Sequence, residues 1–143
     1  MLKNIPSIIS SQLISVLMDM GHGDEIVIGD GNFPGIDIAK RVVYANGHGA
    51  KEMLEAILKL ITLDEYVQKP VALMETTEYF EGVPAIWEEY RTIINNSEEK
   101  DKFTDFEFIE RYEYYERAKK AFAIIITSEP AFFANIIIKK GVL

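Results

Sequence analysis

The sequence predicts a single α/β domain, a three-layer arrangement with a central mixed β-sheet and helices on both faces. Three observations carry this. Helix-like and strand-like segments alternate along the chain, the order of a layered α/β domain. Two β-branched runs near the C-terminus, "AIIIT" and "NIIIK", are apolar at consecutive positions, as in strands covered on both faces. The chain has 143 residues, 48% of them hydrophobic, enough for one domain with its own core. No internal repeat, low-complexity segment or linker divides it, so residues 1–143 read as one unit.

The elements follow in order. Ser10 or Ser11 is placed to cap a first helix, along which Leu13, Val16, Leu17 and Met20 recur at helical spacing. The "GHG" at 21–23 stops it, because glycine takes up the backbone conformations of a helix end. "EIVIG" is a short buried strand and "DGNFPG" is turn chemistry. "RVVYANG" is a second strand ending in a glycine turn. "AKEMLEAILKLITL" puts Met53, Leu54, Ile57, Leu58 and Ile61 on one face and is the clearest helix in the chain. Pro70 introduces a third strand, "VALME", and Pro84 suits the first turn of another helix, "AIWEEYRTIINN". "NNSEEKDK" has no periodicity and reads as a solvated loop. "DFEFIER" alternates as a strand does, and "YYERAKKA" is helix-like. "FAIIIT" and "NIIIKKG" are strands joined by "SEPAFFA".

Charge and composition exclude several roles. The net charge is −8, which repels phosphate backbones and anionic membrane surfaces, so neither nucleic acid nor membrane is expected as a partner. No run reaches the roughly 18–20 apolar residues of a membrane span. The N-terminal "MLKNIPSIISSQLISVLMDM" is interrupted by polar residues too often for a signal-peptide core. There is no cysteine, hence no disulfide and no thiolate chemistry, and this suits a reducing compartment such as the cytoplasm.

No nucleophile elbow, phosphate loop or dinucleotide fingerprint is present, since no helix pattern follows the glycines of "GDGNFPG". A metal set built from His22, Asp24 and Asp30 lacks a second nearby histidine. His22 is the main candidate for proton transfer, because imidazole gives or takes a proton near neutral pH. Its local alternative is a surface histidine capping a helix C-terminus. Asp30 follows the strand, where ligands gather in layered α/β proteins; its alternative is a turn aspartate bonding its own backbone. His48 reads as a loop residue. Arg111 can fork two hydrogen bonds to hydroxyls or a carboxylate, or pair with Glu110, Glu113 or Asp30. Tyr112, Tyr114 and Tyr115 crowd beside it, suited to the apolar face of a sugar or to a core. Asn135 either presents its amide at a strand start or shapes the turn.

Three long segments in order, "MGHGDEIVIGDGNFPG", "FEFIERYEYYERAKKAFAIIITSE" and "NIIIKKGV", resemble the RbsD/FucU family of D-ribose pyranases and L-fucose mutarotases. The resemblance covers nearly the whole chain. "NFP" at 32–34 and "YERAKKAFA" at 115–123 favour the fucose branch. The resemblance implies an RbsD-like fold and sugar epimerisation at the anomeric carbon, without cofactor or metal. It implies His22 as proton donor and Asp30 as a substrate ligand. Arg111 and Tyr115 fall at binding positions, and Asp64 in "LDEY" matches a sugar-contacting aspartate of the fucose branch. The C-terminal contact segment, usually Tyr-Gly-Asn or Tyr-Ala-Asn, is here Phe133 to Asn135. Asn135 carries over; Phe133 lacks the hydroxyl but can stack on a sugar. The implied substrate is a monosaccharide, L-fucose first, with ribose pyranase activity or non-catalytic sugar binding as alternatives. The implied assembly is a homo-oligomer, a ring-shaped homodecamer with sites near subunit interfaces.

One inference is independent of the resemblance. Five strand residues separate the loops of His22 and Asp30, roughly 16 Å at about 3.3 Å per residue. Both side chains reach one sugar only if the loops fold inward or a second subunit completes the site.

Overall fold

A computed structural model describes residues 1–143. Helix α1 (Ser11–Asp19) starts where the Ser10 hydroxyl accepts the Leu13 N–H at 3.1 Å. It buries Leu13, Val16 and Leu17, and it ends at Met20, which turns extended one residue before the glycines expected to stop it. The conformational freedom of glycine is used instead at Gly23, whose φ of +82° shapes the loop that carries His22.

Strand β1 (Glu25–Gly29) follows, then α2 (Gly35–Ile38), β2 (Val42–Ala45), α3 (Ala50–Leu58), β3 (Val71–Met74) and α4 (Ala85–Asn95). After a short 3₁₀ turn at Lys100–Lys102 come β4 (Glu107–Ile109), α5 (Arg111–Lys120), β5 (Ala123–Thr127) and β6 (Ile136–Lys139). The six strands form one mixed sheet in the order β2-β5-β1-β6-β3-β4. β5 runs parallel to β1 and β2, and β4 parallel to β3, while β6 is antiparallel to both β1 and β3.

Alternate strand residues face opposite layers. Ile26, Ile28, Ile125, Ile136 and Ile138 pack under α1, α3 and α4. Val27, Ile124 and Ile137 pack with Phe33, Tyr114 and Ala118 under α2 and α5. The central strands need apolar residues at every position for this reason. Each fully buried isoleucine contributes roughly 1.5–3 kcal/mol, so β1, β5 and β6 form a stiff rod between the two ends of the sheet. Arg117 ties α5 to that rod, donating to Glu25 at 2.8 Å and to Glu107 at 2.7 Å.

The three-layer mixed-sheet expectation holds, with three local differences. The "DGNFPG" turn runs into the one-turn helix α2, too short to show a helical period. The helix read over "AKEMLEAILKLITL" stops at Leu58, and Ile61 is buried from the loop beyond it. "NNSEEKDK" is not simply a solvated loop. Glu99 within it is buried, because its carboxylate accepts the Leu63 N–H at 2.7 Å and the Thr62 hydroxyl at 2.9 Å.

Candidate active site

The singled-out residues fall into two clusters at opposite ends of the sheet. The first stands where β1 begins and β6 ends, since Glu25 is paired with Lys139. The tail of β6 clamps two loops here. Gly23 N–H donates to the Lys140 carbonyl at 2.8 Å and Lys140 N–H to the Asp24 carbonyl at 2.9 Å, which holds the His22 loop. On the other side Asp64 N–H donates to the Lys139 carbonyl at 3.1 Å and Gly141 N–H to the Thr62 carbonyl at 2.8 Å. Gly141 lies against the Leu63 backbone so closely that a Cβ would collide with it. The two loops are thereby brought together, and His22 Nε2 meets Asp64 Oδ1 at 3.1 Å. Asp64 is buried, its side chain 4% exposed against 48% for His22. The Tyr66 N–H donates to the same Oδ1 at 3.0 Å, and the Tyr66 ring stands 5.4 Å from the imidazole. His22 is therefore partnered by a carboxylate and does not cap α1.

The second cluster stands where β1, β3, β4 and β5 end and β6 begins. Asp30 is buried at the end of β1, where its Oδ1 accepts the Asn32 N–H at 2.9 Å, the turn bond proposed for it as a loop aspartate. Its own N–H donates to Asn135 Oδ1 at 2.8 Å, so the Asn135 amide both presents itself at the strand start and fastens the turn. Burial raises the Asp30 carboxyl above its ordinary range and the charge of Glu129 adds to this, while bonds from Asn32, Asn135 and Phe33 partly offset it.

Phe133 and Ala134 deliver Asn135 to this position. Trp87 Nε1 of α4 donates to the Phe133 carbonyl at 2.9 Å, and the buried Tyr90 hydroxyl to the Ala134 carbonyl at 2.6 Å. Phe133 itself holds a φ of +55°, and its ring packs edge-on against Phe80 at 5.0 Å. Glu129 secures the other side of the loop. Its carboxylate accepts the Ala131 N–H at 3.1 Å and the Ala50 N–H at 3.0 Å, capping α3, whose own N-cap is a glycine. The Glu129 carbonyl accepts the Gly31 N–H at 2.9 Å, beside Asp30. Sequence reasoning passed over Glu129, Trp87 and Tyr90; a buried carboxylate with partners far along the chain leaves no periodic signal.

Arg111 and Tyr115 stand at this same end, on the first turns of α5. Arg111 Nε donates to the Tyr115 hydroxyl at 3.3 Å, in place of an ion pair with Glu110, Glu113 or Asp30. Phe33 links them toward Asp30, its ring 5.7 Å from Tyr115. An open groove of about 570 Å³ runs between α2 and α5, lined by Pro34, Ile38, Tyr112 and Tyr115. Another hollow, about 400 Å³ between the ends of α3 and α4, holds none of the residues singled out. No three histidine, aspartate or glutamate side chains converge as metal ligands do, and no helix is long and apolar enough to cross a membrane.

These features define a mixed-sheet α/β domain with a carboxylate-held histidine at one end of its strands and a polar, aromatic-flanked cluster at the other. The chain belongs to the RbsD / FucU transport protein family, which it matches over residues 3–143. The fucose mutarotase of Homo sapiens is 43% identical over 148 residues, spanning 99% of this chain and 94% of that protein. The L-fucose mutarotase of Actinobacillus pleuropneumoniae serotype 5b (strain L20) is also 43% identical, spanning 99% of this chain and 97% of that protein. The crystal structure of the fucose mutarotase from Streptococcus pneumoniae in complex with L-fucose superposes with a TM-score of 0.90 at 41% identity, each chain 99% covered.

Proposed function

We propose that this protein is a fucose mutarotase, a cofactor-independent isomerase that interconverts the α and β anomers of L-fucopyranose. The observation that carries the reading is His22, half-exposed and bonded to a buried carboxylate, in a chain matching fucose mutarotases from end to end. Ring opening removes the proton of the anomeric hydroxyl, breaks the bond from C1 to the ring oxygen and protonates that oxygen. The aldehyde then turns about the C1–C2 bond and closes on its other face with the proton transfers reversed. The oxidation state does not change, so positioned acid and base suffice, worth roughly 10²–10⁴-fold.

His22 is the proposed acid–base group, with Asp64 beside it. Asp30, Arg111, Tyr115 and Asn135 are the proposed sugar ligands, and Phe133 a stacking face. β1 separates the two clusters by roughly 16 Å. The proposed functional unit is therefore a homo-oligomer, a decamer by family resemblance, in which the His22 end of one copy faces the Asp30 end of another. A cysteine-free, acidic chain fits a cytoplasmic location. Binding without catalysis is the second reading, favoured by one observation: Phe133 carries no hydroxyl to move a proton.

Exchange NMR on L-fucose tests the proposal. Added protein is expected to speed anomer exchange, with a loss of roughly 10²–10⁴-fold in His22→Ala. Binding without faster exchange would support the second reading, and faster ring-form exchange of D-ribose than of L-fucose would place the activity in the ribose branch.

A further inference from the structure

We propose that Glu129 is a positioning residue for the sugar-binding cluster: its buried carboxylate ties the loop between β5 and β6 to the start of α3 and so fixes where Asp30 stands. The inference rests on the assignment of Asp30 as a sugar ligand. The loop grips the chain on both sides of Asp30. Thr127 donates its hydroxyl to the Gly29 carbonyl at 2.6 Å, and the Glu129 carbonyl accepts the Gly31 N–H at 2.9 Å. The Asp30 N–H itself donates to Asn135, at the far end of the same loop. Residues 29, 30 and 31 are thus all fastened to one connection, and Asp30 stands where that connection holds it.

Glu129 fixes the loop in turn. Its own N–H donates to the Thr127 hydroxyl at 3.2 Å. Its Oε1 accepts the Ala131 N–H at 3.1 Å, within the loop, and its Oε2 accepts the Ala50 N–H at 3.0 Å, in the first turn of α3. A buried carboxylate is costly unless its hydrogen bonds are made, and a helix N-terminus favours an anion, so the side chain keeps its place between loop and helix. Two glycines leave it room. A Cβ on Gly49 would stand 3.0 Å from Glu129 Oε2, and one on Gly31 3.3 Å from the Glu129 carbonyl oxygen. The β1–β5 and β1–β6 pairings do not use this side chain. Its removal therefore frees the loop, and with it Asp30, while the strands stay paired.

The experiment combines anomer-exchange kinetics on L-fucose with hydrogen–deuterium exchange by mass spectrometry, both on the assembled full-length protein. Glu129→Ala is expected to raise KM about tenfold, bounded by the roughly 150-fold that a lost hydrogen bond to a charged group costs. Its kcat stays within about twofold, because ground-state and transition-state binding fall together. The amides of Asp30, Gly31 and Asn32 exchange faster. Glu129→Ala also uncaps α3 and lowers Tm, so a second variant separates the two effects. When Glu129→Ala is combined with Gly49→Ser, the serine hydroxyl caps α3 locally; the φ of −85° at this N-cap suits it, and the close contact with Oε2 is gone. Tm is expected to recover, while KM and amide exchange stay as in Glu129→Ala. Recovery of KM and amide exchange together with Tm would make Glu129 a helix cap only and overturn the proposal. If Glu129→Ala fails to assemble, Glu129→Gln, which keeps one acceptor oxygen, is expected to show part of the same rise in KM. An unchanged KM in the variant that assembles overturns the proposal as well. Absence of catalysis in the wild type overturns the mutarotase assignment alone, since Kd for L-fucose then takes the place of KM and the amide exchange is read without sugar.

Discussion

Two crippled variants, mixed, should rescue one another. The perturbation pairs His22→Ala with Asp30→Asn, one from each end of β1. Asp30→Asn keeps the turn, because an amide oxygen still accepts the Asn32 N–H. It removes a charged acceptor proposed to bind the sugar, and a hydrogen bond to a charged group is worth roughly 1.5–3 kcal/mol, or about 10- to 150-fold. His22→Ala costs roughly 10²–10⁴-fold. The parents therefore average about 5% of wild-type activity at most, by those two magnitudes. If each site takes its histidine from one copy and its aspartate from the next, random 1:1 assembly makes about one quarter of the sites fully wild-type. Exchange NMR on co-expressed, oppositely tagged variants should then return about 25% of wild-type activity, several times the parental mean. Native mass spectrometry establishes that mixed assemblies have formed. Activity that stays at the parental mean in verified mixed assemblies would refute the shared site and leave inward-folded loops within one chain.

Two further outcomes concern stability. The Asp30 carboxyl is raised above its ordinary 3.8, chiefly by burial. A group raised on folding adds stability that is full below its unfolded value and is lost as pH rises through its folded value. Asp30→Asn should therefore gain on the wild type in urea melts as pH rises from about 3 to 7, and a pH-independent or shrinking difference refutes this. The Tyr114 hydroxyl is fully buried with no hydrogen-bond partner. An unsatisfied polar group costs roughly 1–3 kcal/mol, and the gap left by one oxygen costs a few tenths at about 24 cal/mol per Å³. Tyr114→Phe should stabilise the fold by about 1 kcal/mol, a Tm rise of about 2–4 °C at fixed protein concentration. A loss of that size would mean that the hydroxyl has a partner.

The layered fold was legible because its signals are local. "AIIIT" and "NIIIK" are apolar on both faces since their strands are central, and the face of α3 follows from spacing alone. The site was legible only as residue types and by family resemblance. Its working contacts join distant positions: His22 to Asp64 across 42 residues and Asp30 to Asn135 across 105. Glu99 defeated local reasoning for the same reason. Surrounded by "NNSE" and "KDK" it looks solvated, and its burial follows from the Leu63 N–H and the Thr62 hydroxyl, 36 and 37 residues away, which its carboxylate accepts. The ion pair considered for Arg111 failed differently, because the carboxylates of Glu110 and Glu113 lie nearer in sequence than the Tyr115 hydroxyl that it bonds one helical turn on.

Phe133 separates what holds this site from what reacts in it. A bulky residue at φ +55° is in the left-handed region, which costs roughly 1–2 kcal/mol without glycine. The strain persists because α4 grips the backbone on both sides, Trp87 at the Phe133 carbonyl and Tyr90 at the Ala134 carbonyl. Neither grip uses the Phe133 side chain. Asn135 is thus delivered to Asp30 whether residue 133 carries a hydroxyl or not. A phenylalanine where the family usually has tyrosine therefore changes the side chain and leaves the backbone that carries Asn135 in place. The group proposed to move protons, His22, is then the one half-exposed imidazole in either cluster, and it is held by a single buried carboxylate, Asp64.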